Sequence, residues 1–205
     1  MKKIFVFGVI FALLFSSGCS FKKLTPMEEV QKNLLEMENY KCEAELVRIS
    51  NKGEEKYDIA QYYKNTGQYR LEILSPESIA GNYTVYDGEN IYQYNKMMDS
   101  QIISDSPKES HNNELFLGSF IKNYMDSENV AVETGSFDAS QCLILEAVIP
   151  GPNRYLSSEK LWIDENTLKP VRFIIYDSDG NERYILTYTE FEYNAQIDDN
   201  LFIVN

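Results

Sequence analysis

Short segments in which apolar and polar residues alternate recur along most of the chain, with turn residues between them. This period of two is typical of strands that bury one face. In the segment Lys41–Ile49, for example, Cys42 and Leu46 alternate with Glu43 and Glu45. We predict about ten strands of this kind.

Turn sequences connect several of these segments. Asp87–Asn90 join Tyr83–Tyr86 to Ile91–Tyr94, and Asp177–Asn181 follow Val171–Tyr176. An Asp-Gly pair between two alternating segments is a strong signal for a hairpin. Because short connections join antiparallel strands, we predict an antiparallel sheet.

A helix is predicted near the start, where Thr25, Pro26 and Glu28 form a capping box with proline in the first turn. We expect this helix to run to about Asn39. Its apolar stripe consists of Met27, Val30, Leu34 and Met37.

A second helix is predicted over Glu114–Asp126, and its apolar arc is wide, which indicates burial against the sheet. The arc consists of Phe116, Leu117, Phe120, Ile121 and Tyr124. The end of the chain is predicted to form two separate strands, Arg183–Thr189 and Phe191–Asn194. Because strands come in runs and do not alternate with helices, the fold class is α+β, with helices on one face of a curved antiparallel sheet.

Residues 1–18 have the pattern of an export signal, with Lys2 and Lys3 before an apolar run that is too short to span a bilayer. Cys19 follows Gly18, which resembles a bacterial lipobox, although Ser16 occupies a position where Leu is usual. We expect Cys19 to carry the lipid, residues 19–25 to form a tether and residues 26–205 a single domain. The alternative is an ordinary secretory signal cut nearby, with Cys19 as a bystander.

The chain carries 19 basic and 32 acidic side chains, a formal net charge of −13. Removing residues 1–18 would take away two lysines and no acid, leaving −15 on 187 residues. Such a surface repels nucleic acid and is not attracted to anionic lipid, so these two classes of partner are excluded. Lipid attachment would have to be covalent, and a protein partner should be basic.

The residues give no support for an enzyme. His111 is the single histidine, so neither a usual zinc ligand set nor a Ser-His-Asp triad can be assembled in an evident way, and no metal or cofactor is expected. The acidic residues Asp177, Asp179 and Glu182 resemble part of a calcium loop, but a hairpin turn explains them better. Cys42 and Cys142 lie in predicted strands and are expected to be free buried thiols, with a disulfide as the alternative.

The order of motifs along the chain resembles that of the LolA/LolB-like lipoprotein-carrier superfamily. After the lipobox and the first helix, the motifs are Leu161–Asp164, Leu168–Pro170, Asp179-Gly180, Tyr188–Phe191 and Ile197–Phe202. This resemblance implies an open, strongly curved antiparallel half-barrel wrapped around two or three helices. Trp162, within the first of these motifs, is expected to pack in the core, with a ring that faces a groove as the alternative.

Within this superfamily, the lipobox and the acidic, tyrosine-rich domain look most like the GerS-type spore germination lipoproteins of clostridia. That resemblance implies a non-catalytic protein that binds and activates a cell-wall N-acetylmuramoyl-L-alanine amidase. The amidase itself would bind zinc and help make the muramic-δ-lactam of the spore cortex, which germination requires. The expected location is the membrane of the forespore or spore envelope.

Two binding functions remain open from the residues alone. The inner side of the sheet could be an apolar cup that carries acyl chains or lipoproteins, or it could be filled by the helices while the outer surface contacts a protein. The apolar arc of the second helix favours the second function. A wall hydrolase is a remote third possibility.

Candidate partner contacts are outward-facing tyrosines and an exposed arginine–tyrosine pair, because Tyr and Arg are common at interface centres. For each tyrosine taken singly, a structural role in covering the sheet and bridging cross-strand neighbours is favoured over a partner contact. An open sheet also has edges that could pair or exchange to give a homodimer. The candidate residues are Tyr62, Tyr63, Tyr92, Tyr94, Arg154 and Tyr155.

Overall fold

The computed structural model describes residues 24–105, 113–127, 131–151 and 153–204. The predicted export signal, Cys19 and His111 lie outside these residues. Within the described residues, eleven antiparallel strands form one open sheet in the order β6-β5-β4-β3-β2-β1-β11-β10-β9-β8-β7. The elements are α1 (Pro26–Leu35), β1 (Asn39–Ser50), β2 (Gly53–Lys64), β3 (Tyr69–Ser75), β4 (Tyr83–Tyr86), β5 (Asn90–Asn95), β6 (Ser100–Asp105), α2 (Leu117–Asp126), β7 (Ala131–Phe137), β8 (Ser140–Val148), β9 (Ser158–Asp164), β10 (Pro170–Tyr176), β11 (Glu182–Tyr193) and a 3-10 helix (Asp199–Phe202).

Helix α1 begins at the predicted capping box. The Glu28 N–H donates to Thr25 Oγ1 at 3.2 Å, and the Thr25 N–H donates to Glu28 Oε2 at 2.7 Å. The helix ends at Leu35, four residues before the predicted end, because β1 already begins at Asn39. There Asn194 Oδ1 accepts from the Glu38 N–H at 2.8 Å and fixes the chain to the end of β11.

The sheet curves around α2. We call the face on which α2 packs the inner face and the opposite one the outer face. The Phe116 ring lies 4.7 Å from Tyr69 of β3, and the Phe120 ring lies 5.7 Å from Phe173 of β10. Because β3 and β10 are four positions apart in the sheet, a single short helix can touch both only if the sheet bends around it. The predicted open, curved α+β half-barrel is therefore confirmed.

Three details differ from the sequence predictions. The last strand is continuous to Tyr193 and is not split at Glu190. Helix α2 starts at Leu117 and not at Glu114. Trp162 does not lie in the core: it points to the outer face, half-buried, because its neighbours Leu161 and Ile163 point inward and adjacent strand residues face opposite ways.

Candidate functional site

The N-terminal end of α2 is bound to the sheet by two buried polar side chains. The Tyr40 hydroxyl accepts from the Leu117 N–H at 3.2 Å and donates to Gln61 Oε1 at 3.1 Å. Gln61 Nε2 in turn donates to the Leu115 carbonyl oxygen at 3.0 Å. Because Phe116 offers no side-chain cap, Tyr40 of β1 supplies the acceptor for the first N–H of the helix, and Gln61 of β2 holds the residue before the cap.

The C-terminal half of α2 carries a second buried polar contact. Asn123 Nδ2 donates to Glu159 Oε1 at 2.9 Å and to Glu114 Oε2 at 3.1 Å. Glu159 on β9 has no solvent exposure, and this burial raises the pKa of its carboxyl group to about 8. Burial also raises the pKa of Glu114. Glu159 is therefore mainly protonated and neutral at pH 7.

The inner face between β3 and β10 is thus occupied by side chains of the protein itself. At Gly118 the helix lies so close to the sheet that an added Cβ would overlap the Tyr63 ring. Two cavities of about 390 Å³ each flank the start of α2, and both border Asn113. The α2 residues that fill the inner face are Leu117, Ser119, Phe120, Asn123 and Tyr124.

The candidate contact residues of β2 point in opposite directions. Tyr63 faces inward, where its ring stacks on Tyr40 at 5.5 Å and lies 6.3 Å from Phe116. Tyr62 lies on the outer face and is half-buried. The structure therefore presents only Tyr62 of this pair to a partner.

Tyr92 and Tyr94 lie together on the outer face of β5. The Tyr94 ring stacks on Tyr83 at 4.9 Å, and the Tyr94 hydroxyl donates to Asp99 Oδ1 at 2.9 Å. The Arg70 guanidinium lies 4.0 Å from the centre of the Tyr83 ring. Tyr83 and Tyr94 therefore already cover one another on this part of the sheet, and Arg70 covers Tyr83 as well.

Arg154 and Tyr155 lie in the connection between β8 and β9, apart from the tyrosines of β2 and β5. The Arg154 guanidinium is 5.5 Å from the Tyr155 ring, and that of Arg183 is 5.9 Å from it. Tyr155 is 57% exposed. The six candidate residues are thus divided among the inner face, the outer face and this connection.

Cys42 and Cys142 are free and buried, as predicted. Cys42 on β1 and Cys142 on β8 are separated by β11, β10 and β9 in the sheet, so no disulfide can join them. Burial raises the pKa of both thiols. Among the residues that the structure describes, no group of three or more His, Cys, Asp and Glu side chains could hold a metal ion.

Sequence reasoning missed a cleft on the outer face. Strand β10 pairs with β11 only from Arg172 onward, so residues 188–193 pair with β1 on one side and have no strand partner on the other within the described part of the chain. We call the resulting space of about 750 Å³ the β10–β11 cleft. It is lined by Lys41, Glu43 and Tyr62, by Thr189, Glu190 and Glu192, and by Lys169, Pro170 and Val171.

Two bulges open this cleft. Glu43 is paired with Glu190 and Ala44 with Tyr188, so Thr189 is an extra residue, whose hydroxyl donates to the Glu43 carbonyl oxygen at 3.1 Å. A second irregularity lies between Pro170 and Arg172 on the β9 side of β10. Bulges increase strand twist, and Pro170 has no N–H to donate to β11, so the two strands diverge here.

The family model described as sporulation protein YdcC-like matches residues 1–202. This chain belongs to the YdcC-like family of sporulation proteins. It is also similar to the GerS lipoprotein in the structure of the CwlD amidase from Clostridioides difficile in complex with GerS, with 31% identity, 84% of this chain and 99% of that chain covered, and a TM-score of 0.52. No curated protein matches the chain.

Two further solved structures are similar at lower identity. An uncharacterized conserved protein from Thermus thermophilus is 18% identical over 88% of this chain and 92% of that one, with a TM-score of 0.55. The LolA superfamily protein NE2245 from Nitrosomonas europaea is 13% identical over 89% and 99%, with a TM-score of 0.45. The predicted resemblance to GerS is confirmed by its 31% identity taken together with the family match. No helix among the described residues is both long and apolar enough to cross a bilayer.

Proposed function

We propose that this protein is an extracytoplasmic lipoprotein, anchored through Cys19, that binds and activates a cell-wall N-acetylmuramoyl-L-alanine amidase without catalysing a reaction itself. The observation that carries this proposal is the 31% identity to GerS, which was solved in complex with the CwlD amidase, over nearly the whole of that chain. Membership of a sporulation family agrees with it. The amidase would bind the zinc ion and act in the formation of muramic-δ-lactam in the spore cortex.

The packing of the inner face favours a protein partner over a lipid cargo. Three aromatic side chains of the α2 region, Phe116, Phe120 and Tyr124, are buried against the sheet in the place where a carrier would need an open apolar cup. Cargo entry would require α2 to leave its contacts with Tyr40 and Glu159. A sheet whose inner face is largely occupied by its own helix is better suited to present its outer surface to another protein.

Capture of the tagged full-length protein from sporulating cells tests this proposal directly. The membranes would be solubilised in mild detergent, and the eluate analysed by native mass spectrometry. We expect an amidase to co-elute in a defined stoichiometry. Co-elution of acyl lipid within the protein, with no amidase, would overturn the proposal and favour the carrier function.

A deletion strain supplies the second test. If the protein activates the amidase, spores that lack it should contain cortex peptidoglycan with greatly reduced muramic-δ-lactam, and they should fail to complete germination. Restoring the wild-type gene should restore the lactam, whereas a Cys19→Ala variant tests whether the lipid anchor is needed. Normal lactam content in the deletion strain would refute the activating role.

A further inference from the structure

The β10–β11 cleft has an unusual combination of features for the outer face of a sheet. It contains a stretch of six residues, 188–193, that is paired to β1 along one edge and unpaired along the other within the described residues. An unpaired strand edge offers a row of backbone donors and acceptors to another extended segment. Six residues of strand extend about 20 Å, which is long enough to hold such a segment in register.

The charges beside this edge are uneven. Glu43 and Glu190 are direct cross-strand partners, both exposed, and neither has an ion-pair partner among the described residues. Like charges directly opposite one another destabilise a sheet. A nearby pair shows the contrast, because Lys41 Nζ lies 2.8 Å from Glu192 Oε2.

We propose that the β10–β11 cleft receives an extended basic segment of the amidase, which adds as a strand to the free edge of residues 188–193 and places a Lys or Arg side chain beside Glu43 and Glu190. This inference rests on the proposed function and names the surface that performs it. Side chains of an added strand that point to the outer face lie within about 5.5 Å of those of β11. A cation there lies next to Glu190 and one strand further from Glu43 on β1, and its charge offsets the repulsion between the two carboxylates. Tyr62 borders the same cleft as an aromatic contact.

A second copy of this chain is a poorer occupant. The strands at the two edges of its sheet are β6, Ser100–Asp105, and β7, Ala131–Phe137. Neither contains a Lys or Arg residue, and each carries at least one carboxylate. Insertion of either strand would therefore add negative charge beside Glu43 and Glu190.

Charge reversal with a matched control tests the site. The probe is the purified amidase of the same organism that is most similar to CwlD, and the association is measured by biolayer interferometry at several salt concentrations. The test variant is Glu43→Lys/Glu190→Lys, and the control is Glu54→Lys/Glu133→Lys, which makes the same change in net charge at exposed positions of β2 and β7. Thermal unfolding confirms that both variants fold.

We expect the test variant to bind at least about tenfold more weakly than the control, mainly through a slower association rate that depends less on salt. Hydrogen exchange of the wild-type complex should show new protection in residues 188–193. Equal affinity of the two variants, or protection at β6 or β7 and not at β11, would overturn this site while leaving the amidase partnership intact. Absence of any binding by the wild-type protein would refute the proposed function. It would also refute the proposal that an amidase segment occupies the β10–β11 cleft.

Discussion

The buried carboxyl group of Glu159 makes the stability of this protein depend on pH in a direction that is unusual for an acid. Its pKa is about 8 in the folded protein, against an ordinary value of 4.5. Between these values the folded chain holds a proton that the unfolded chain has lost, so stability falls as the pH rises. Below pH 4.5 this loss is absent, and above pH 8 it is complete.

The size of the effect follows from the distance between the pH and the unfolded pKa. At pH 7 the free energy of unfolding is lower by about 3 kcal/mol, because folding requires Glu159 to take up a proton that it has lost in the unfolded chain, where its pKa is 4.5. At pH 5 this loss of stability is below about 1 kcal/mol. Glutamine has the shape of the protonated acid, and it can still accept from Asn123 Nδ2. We therefore expect Glu159→Gln to stabilise the protein at pH 7 by about 3 kcal/mol and to have little effect at pH 5.

Urea unfolding between pH 5 and pH 8.5, followed by the fluorescence of Trp162, measures this difference. For a domain of this size a gain of about 3 kcal/mol corresponds to a rise in melting temperature of about 6–12 °C. Glu133→Gln is the control, because Glu133 is exposed on β7 and its replacement should leave the pH dependence unchanged. A Glu159→Gln variant that is destabilised equally at pH 5 and pH 7 would refute a neutral Glu159.

Three further perturbations test the packing of α2 and the thiols. Tyr40→Phe should lower the free energy of unfolding by about 1–3 kcal/mol, because the Leu117 N–H loses its partner inside the core; denaturant titration against the wild type measures it. Gly118→Ala should also destabilise, by about 1–3 kcal/mol, since the clash of the new Cβ with Tyr63 outweighs a gain in helix propensity of about 1 kcal/mol; wild-type stability in this variant would contradict the close approach. Cys42 and Cys142 should resist iodoacetamide in the native protein and react in denaturant, because the thiols are buried and their pKa values are raised; rapid labelling without denaturant would contradict their placement.

Much of the fold could be predicted from local patterns. The capping box at Thr25 and the hairpin turn at Asp87 depend on neighbouring residues alone, and both form as expected. The alternation in β1 determines which side chains are buried, because a shift of its pairing by one residue would move the apolar side chains from the core to the solvent. The placement of Trp162 on the outer face follows from the same alternation, since Leu161 and Ile163 on either side of it are buried.

The site could not be predicted, since it depends on residues that are distant in the sequence. Thr189 becomes a bulge only because Glu43 and Ala44 are its neighbours across the sheet. The contact between Asn123 and Glu159 joins a helix to a strand, and neither residue shows a local signal for it. Tyr62 and Tyr63 are adjacent residues of the same type, and only the register of β2 in the sheet determines which side chain points to the outer face.

The pairing of the first strand with the last has a consequence for the order of events in folding. Strand β11 completes the sheet by lying against β1, so its contacts close a loop of nearly the whole domain, and such high contact order makes folding slow. The β10–β11 cleft is built from these late-arriving strands together with β1. The surface that we propose for the amidase therefore comes into being only after β11 has paired with β1, so a copy without its last strands would lack this surface.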